Sequence, residues 1–348
     1  MLSFVPISKD SDWDELVRSF PEYDVYYLSS YVKAFKNHGD GEPYLVYFDN
    51  GKTRAINVVM KRDIAASLLF KNQLEKDKWY DLSTPYGYGG FLVHGSDYEE
   101  LEKEYTRYCR DANIVTEFVR FHPILGNGYD LVGIYEVQEL GVTIHIDLSS
   151  PEIIWENLTS KNRNMIRKAK KLGVNIYWGR SPDLYRKFVS MYNHTMNIKK
   201  ADSYYYFKTE FLDRVLYDLR YNSMVFYAVH EENIIAMAII LFCNTQMHYH
   251  LSASDYHYRQ FAATNLMLYE ASLWGYANGY KTFHLGGGLG AAEDSLYKFK
   301  KSFNRNSENR FLIGKKIFNR NIYDELIELR KSIGDFDEES TYFPLYRS

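Results

Sequence analysis

The chain has 348 residues, more than one ordinary core needs and enough for two lobes of normal domain size. Hydrophobic residues make up 46% and charged residues 25%, so long disorder is not expected, and a net charge of −3 supplies no global field to draw the chain onto DNA. Two cysteines, Cys109 and Cys243, exclude a disulfide framework, and no Cys/His spacing suits zinc, so no metal site is expected.

In chain order, 12–20 reads as a helix with Trp13, Leu16, Val17 and Phe20 at helical spacing. Strands 44–48 and 55–60 flank Asp49-Asn-Gly-Lys52, a hairpin turn sequence. A helix at 98–113, a strand at 114–121 and further strand at 133–148 follow. Then come helix 160–172, strand 174–178, and helices 182–196 and 207–219. Strands 224–230, 234–242 and 246–253 lead to helix 264–278, strand 281–285, a glycine run, helix 295–303 and a closing helix 322–333. This alternation predicts an α/β (α+β) protein with mixed, largely antiparallel sheets flanked by helices, not a doubly wound nucleotide fold. A boundary is expected near 141–147. The start, Met1-Leu-Ser-Phe-Val-Pro, lacks a signal pattern, and the longest apolar stretch, 234–243, is about half a bilayer span, so a soluble cytoplasmic protein is expected.

Four stretches carry chemistry. In 159–173, Lys161, Arg163, Arg167, Lys168, Lys170 and Lys171 run without an acid, behind Thr159 or Ser160 as N-cap. Met165, Ala169 and Leu172 fall on one helical face, and Arg163, Arg167, Lys170 and Lys171 on another. Lys161 and Arg163 in the first turn oppose the macrodipole unless a phosphate binds there; otherwise the run is a solvated basic face. In His284-Leu-Gly-Gly-Gly-Leu-Gly290 and the helix after it, Asp294 is a cap and Leu296, Phe299 and Phe303 form an apolar face. Tyr297, Lys300 and Lys301 lie on another side, where Lys300 either meets a phosphate or oxyanion or is an ordinary exposed lysine. On strand 246–253, period two puts His248 and His250 on one face and Met247, Tyr249 and Leu251 on the other. His250 is a candidate base or a structural histidine. In Pro85-Tyr-Gly-Tyr-Gly-Gly90, Tyr86 and Tyr88 stack on a sugar or base, or belong to a packed loop. No Ser-His-Asp or Cys-His elbow appears.

Together these stretches resemble the FemA/FemB/FemX-like (FemAB) branch of the GNAT acyltransferase superfamily. The matching elements are the 85–90 loop, Arg-x-x-x-Arg-Lys-Ala at 163–169, Tyr-x-Leu-x-x-Ser at 249–254 and Asp-x-Leu-x-x-Phe-Lys-x-x-Phe at 294–303. The resemblance implies two GNAT-like lobes, 1–143 and 144–309, with 310–348 free to return to the first and the transfer site in the second. It implies an N-acyltransferase acting on an amine of a nucleotide- or lipid-linked sugar or similar cell-surface precursor, with acetyl-CoA or another acyl-CoA as donor and no permanently bound cofactor. An aminoacyl-tRNA donor with a peptidoglycan precursor is the close alternative, and a non-catalytic carbohydrate- or nucleotide-binding protein a third.

On that reading Lys300, His250 and Tyr249 are the catalytic candidates, and Tyr86, Tyr88, Arg163, Arg167, Lys168 and Phe299 hold a phosphate-bearing substrate. GNAT enzymes hold CoA pyrophosphate with Arg/Gln-x-x-Gly-x-Gly/Ala at a helix start. The nearest segment here is Arg259-Gln-Phe-Ala-Ala-Thr264, so Arg259, Ala262, Ala263 and Thr264 are the donor candidates, without the glycines.

Overall fold

The computed structural model describes residues 1–334 and 336–348. They form two compact units: Met1–Leu140 with Phe311–Ser348, and Gly141–Arg310.

The first unit opens with β1 (Leu2–Pro6), α1 (Asp10–Arg18), α2 (Ser29–His38), β2 (Glu42–Asp49), β3 (Arg54–Asp63), β4 (Tyr80–Ser83), β5 (Leu92–His94), α3 (Tyr98–Asp111) and β6 (Ile114–Arg120). The chain crosses into the second unit within β7 (Glu136–Asp147). There it forms α4 (Pro151–Asn157), α5 (Ser160–Lys171), β8 (Asn175–Gly179), α6 (Pro182–Lys199), α7 (Thr209–Tyr217), β9 (Ser223–His230), β10 (Asn233–Cys243), β11 (Gln246–Ser254), α8 (Ala263–Ala277), β12 (Thr282–Gly286) and α9 (Ser295–Lys301). It returns within β13 (Asn309–Ile317) and closes with α10 (Arg320–Ile333).

Local chemistry explains the clearest of these elements. The β2–β3 hairpin closes where Asn50 Oδ1 accepts the N–H groups of Lys52 and Thr53, with Gly51 at φ 80°. Trp13 and Val17 turn the inner face of α1 into the core. Helix α6 starts on Pro182 with Ser181 as its cap.

The two sheets have the same topology. In the first unit the order is β1-β2-β3-β4-β6-β13, with β5 also on β3; in the second it is β8-β9-β10-β11-β12-β7. Within each of these orders one neighbouring pair is parallel, β4–β6 and β11–β12 respectively, and the remaining pairs are antiparallel. One helix bridges each parallel pair, α3 in the first case and α8 in the second, as a parallel connection requires. The sixth strand of each unit is remote in the chain from its partner: the paired part of β7 opens the second unit and meets β12 near that unit's end, and β13 is made after the second unit yet pairs with β6. The mixed α/β architecture with largely antiparallel sheets is as the sequence pattern predicts.

Each sheet packs its own core. Ile166 of α5, Met267 and Ala271 of α8, and Phe226, Ile240 and Phe283 of the strands share one cluster. Val46, Leu82, Leu101, Tyr105 and Val119 share another in the first unit.

Two helices are rotated from the expected faces. On α5 the buried residues are Asn162, Ile166 and Ala169, and Leu172 is exposed. On α9 Tyr297 and Lys300 are buried and Leu296 is exposed. In both cases a polar side chain lies inward and an apolar one lies out, which hydrophobic periodicity cannot anticipate.

Candidate active site

The second sheet opens at its parallel pair. β11 and β12 are joined at Gln246–Thr282, Met247–Phe283 and His248–His284, and pairing stops there. β12 continues along β7 to Gly286–Ile144, while β11 follows β10 to Ser254. The strands therefore part toward their carboxyl ends, where parallel sheets offer ligand-binding crevices. The register of β10 and β11 shifts at the same level: Ile240 faces Tyr249 and Ile239 faces Leu251, leaving His250 as an extra residue. The bulge resets the alternation. Met247 and Tyr249 pack with the α8 side of the core, whereas Leu251 is buried outside that cluster, so the expected common face for these three does not hold.

Burial depresses His250 strongly, to a pKa of about 3, with the neighbouring His248 adding to the effect. The imidazole is therefore neutral at physiological pH, a hydrogen-bonding group with little power to hold a proton. Burial likewise raises Tyr249 to about 12 and keeps it a phenol.

α8 begins at this opening. Its N-cap, Ala262, has φ 51° and ψ 37°, and no side chain caps the helix or places an acid in its first turn. Ala262 thus occupies the left-handed conformation that glycine takes without strain, at the first glycine position of the GNAT fingerprint. The first-turn N–H groups at Ala263 and Thr264 make a helix start suited to an anion. Arg259 lies on the preceding turn, over the ring of Tyr256 and hydrogen-bonded to its hydroxyl. The N-terminus of α5 adjoins that of α8, because Asn265 Nδ2 donates to Asn162 Oδ1 at 2.8 Å.

Along α5, Arg163 reaches Ser160 Oγ, Arg167 lies 5.1 Å from the Trp155 ring centroid, and Lys168 is exposed. Lys170 is tied to Glu270 at 2.8 Å. Among the described residues, neither Arg163 nor Arg167 has a carboxylate partner within salt-bridge distance.

At the end of β12, the glycine run comes close to other backbone. A Cβ on Gly288 would lie 1.9 Å from Ala292 O, and one on Gly287 would lie 2.8 Å from Val142 O. Lys300 Nζ donates to Gly287 O at 2.7 Å, which fixes the amine at the carboxyl end of β12. Only 9% of Lys300 is exposed, and burial lowers its pKa to about 8 against the opposing charge of Asp294. Asp294 caps α9 through Tyr297 N–H and also accepts from Leu289 N–H. Phe299 packs on the core, edge-on to Phe303.

Tyr86 and Tyr88 belong to the first unit. Tyr86 stacks on Phe35, and its carbonyl accepts from Tyr31. Tyr88 meets Tyr26, His122 and Phe311. The Arg120 guanidinium donates to the carbonyls of Thr84, Pro85 and Gly87. Here the parallel pair stays closed: Thr84 N–H bonds Phe118 O and Gly89 N–H bonds Arg120 O beyond the last β4–β6 rung. The matching helix, α3, is capped by Asp97 and carries Glu99 and Glu100 in its first turn, which repels an anion. The two sheets share a topology, but only the second combines an open parallel pair with an uncapped helix start.

Sequence reasoning missed the buried polar groups of the first unit. Asp24 and His122 pair at 2.8 Å with both side chains fully buried. Glu117 accepts from Asn57, Tyr105 and Tyr135 at 2.8–2.9 Å, and burial raises its pKa to about 7. A lone Glu in an apolar strand carries no signal beyond its own misfit with the pattern.

Residues 158–301, from the residue before the Thr159 cap of α5 to the end of α9, match the acetyltransferase (GNAT) domain family, a span that holds every second-unit candidate named above. The chain has a GNAT-type fold. The particular likeness is to FemX, whose crystal structure superposes with a TM-score of 0.69 at 13% identity, over 93% of this chain and 99% of that one. A conserved protein of unknown function from Bacteroides thetaiotaomicron gives 0.58 at 12% identity, over 91% and 100%. The C-terminal domain of a protein named a lysylphosphatidylglycerol synthetase, from Agrobacterium fabrum, gives 0.55 at 12%, over 93% and 96%. At these identities the likeness is one of fold, and at that level it agrees with the FemAB resemblance read from the motifs. No curated protein matches this sequence closely enough to count as a relative.

Proposed function

We propose that the chain is an N-acyltransferase and that the second unit carries the reaction. The observation that carries this reading is the opening of β11 from β12 beside an uncapped, acid-free α8 N-terminus. A phosphate-bearing acyl donor would set its phosphate oxygens on the N–H groups of Ala263 and Thr264, near Arg259, and its acyl carbonyl between the parted strands. The acceptor amine, as the free base, attacks the carbonyl carbon. The C–N bond forms, the carbonyl electrons move to oxygen, and the oxyanion collapses to expel the thiolate or ribose alkoxide of the donor. The amine proton leaves to that group or to water.

Lys300, held at Gly287 O as a partly charged amine, is suited to stabilise the oxyanion. His250, with a pKa near 3, is suited to orient the amine by accepting a hydrogen bond; as a base it would be weak. The basic run on α5 supports an acceptor bearing phosphate, such as a nucleotide- or lipid-linked amino sugar or a similar cell-surface precursor, with Arg163, Arg167 and Lys168 as its contacts. Phe299, in the same unit, remains a candidate for its acyl portion.

The FemAB resemblance of the motifs supports a second reading, in which aminoacyl-tRNA is the donor and a peptidoglycan precursor the acceptor. Calorimetric titration with acetyl-CoA and with free CoA separates the two. Saturable binding of both, lost on introducing Glu at Ala263 (Ala263→Glu), assigns CoA. Absent binding moves the donor to aminoacyl-tRNA. If neither donor supports transfer to any phosphate-linked amine, the transferase reading falls.

A further inference from the structure

Helix α6 carries a lysine where its pattern calls for a core residue. Tyr185, Phe188, Tyr192, Thr195 and Met196 are buried and follow one another at helical spacing, so they mark the inward stripe of the helix. Lys199 is the next position on that stripe, three residues after Met196 and four after Thr195, yet it is exposed. The stripe packs on β11, where Thr195 Oγ1 accepts the N–H of Ser254, the last residue of the strand, at 3.4 Å. Lys199 lies one helical turn further on, roughly 5 Å along the axis. It therefore faces inward where the helix outruns the strand beneath it. Helical side chains lean toward the N-terminus, which turns its amine back over the carboxyl end of β11.

Lys300 comes to the same opening from the other strand. Its Nζ is fixed at Gly287 O, just past the end of β12, and β12 has already parted from β11 after His248–His284. Burial is the main influence on its charge. Two charged side chains also act on it: Asp294, at the cap of α9, and Lys199, whose repulsion adds to the effect of burial. Asp294 is engaged by the N–H groups of Tyr297 and Leu289. Among the described residues Lys199 has neither an ion pair nor a side-chain hydrogen bond, and Asp202, the next acid along the chain, takes the Tyr204 N–H. Two ammonium groups thus approach the opening, the buried one from the β12 side and the exposed one from the β11 side.

We propose that Lys199 is a positioning residue of the transfer site, standing across the opening from Lys300 and acting on the acyl transfer through it. Repulsion from a second cation loosens the hold of Lys300 on its protons, and a more acidic ammonium is the stronger hydrogen-bond donor to a developing oxyanion. The proposal rests on the reading of that opening as the transfer site and adds the residue that tunes its cation.

The test is competitive labelling of the full chain with acetic anhydride across a range of pH, with the extent at each lysine read by mass spectrometry. Only the unprotonated amine reacts, so the midpoint for Lys300 reports its charge. Lys199→Met is expected to move that midpoint up from about 8, with the melting temperature in place because Lys199 is exposed. Lys199→Arg keeps the charge, and Lys187→Met removes an exposed lysine on the opposite side of α6; both are expected to leave the midpoint where it is. In a transfer assay of Lys199→Met the high-pH limb of kcat moves with the midpoint, the rate below the limb falls roughly threefold, and KM is unchanged. Labelling needs no acyl transfer, so the two readings fail separately: a midpoint that moves in a chain without transfer activity faults the reaction and leaves the placement of Lys199 intact. A midpoint that stays in Lys199→Met, or that moves equally in Lys187→Met, overturns the proposal. So does a rise in KM at constant kcat, which makes Lys199 a substrate contact instead.

Discussion

Lys300 has a pKa near 8 because its ammonium is buried, so its charge falls away inside the range where enzymes are assayed. If it stabilises an oxyanion, the protonated form is the active one, and the rate must fall as pH rises through about 8. Lys300→Ala is expected to lower kcat roughly 100-fold and to abolish that descending limb; a limb that persists in the variant removes Lys300 from the chemistry. Ala262 offers a second residue-scale test. An alanine in the left-handed region costs about 1–2 kcal/mol, and glycine gives part of that back as unfolded-state entropy. Ala262→Gly should therefore stabilise the protein by about 0.5–1 kcal/mol in denaturant melts, with donor binding intact. Glu117 titrates in the opposite sense to an ordinary surface carboxylate. Its folded pKa, about 7, lies above the unfolded value of 4.5, so the folded state keeps a proton that the unfolded chain has already released. Stability should fall as pH rises from 4.5 to 7, by at most about 1.4 kcal/mol per unit, and Glu117→Gln should flatten that slope. Equal slopes in the two proteins would place the titration elsewhere.

At the scale of elements, much was readable and the limits have identifiable causes. Helices α5 and α8 and strands β9–β11 fall within a residue or two of the expected spans, since period and turn chemistry are local. The Asn50–Thr53 turn was readable for the same reason. β1 and α2 were not anticipated: Leu2–Pro6 is short, and α2 carries Ser29, Tyr31, Val32, Ala34 and Phe35 all buried, which blurs a helical stripe. The bulge at His250 was illegible because it is a property of the β10–β11 register and not of β11 alone. The basic run was visible, but which of its cations were already paired was not; only the packing of α8 shows that Glu270 takes Lys170. The contrast between α3 and α8 was in principle legible. Asp97, Glu99 and Glu100 close one helix start to anions, while the other has no acid near it.

At the scale of the molecule, the repeated topology had no counterpart in residue-level repetition, because a sheet order survives substitutions that erase sequence similarity. The resemblance left 310–348 free to return to the first lobe, but the strand that this segment pairs with was hidden, since long-range pairing leaves no local mark. The pairing carries a firm prediction. A chain ending at Arg310 lacks β13 and α10, and with them the partner of β6 at Ile313–Ile317 and the Tyr323–Leu326 face that packs with Val115. Such a truncation should lose the cooperative unfolding of the first unit, while the second keeps its core and its donor binding. A truncated protein that still melts as the full chain does would show that the returning strand is dispensable.

The late return of β13 also sets a timetable. The first unit is started first, but its last strand is translated only after the whole of the second, about 170 residues later. At roughly 5–20 residues per second, the exposed edge of β6 waits on the order of 10–30 s on the ribosome. During that interval the later-made unit can finish while the earlier-made one is still open at an unpaired strand, the kind of edge that chaperones cover and that aggregates recruit. Synthesis therefore runs in one direction along this chain and completion in the other.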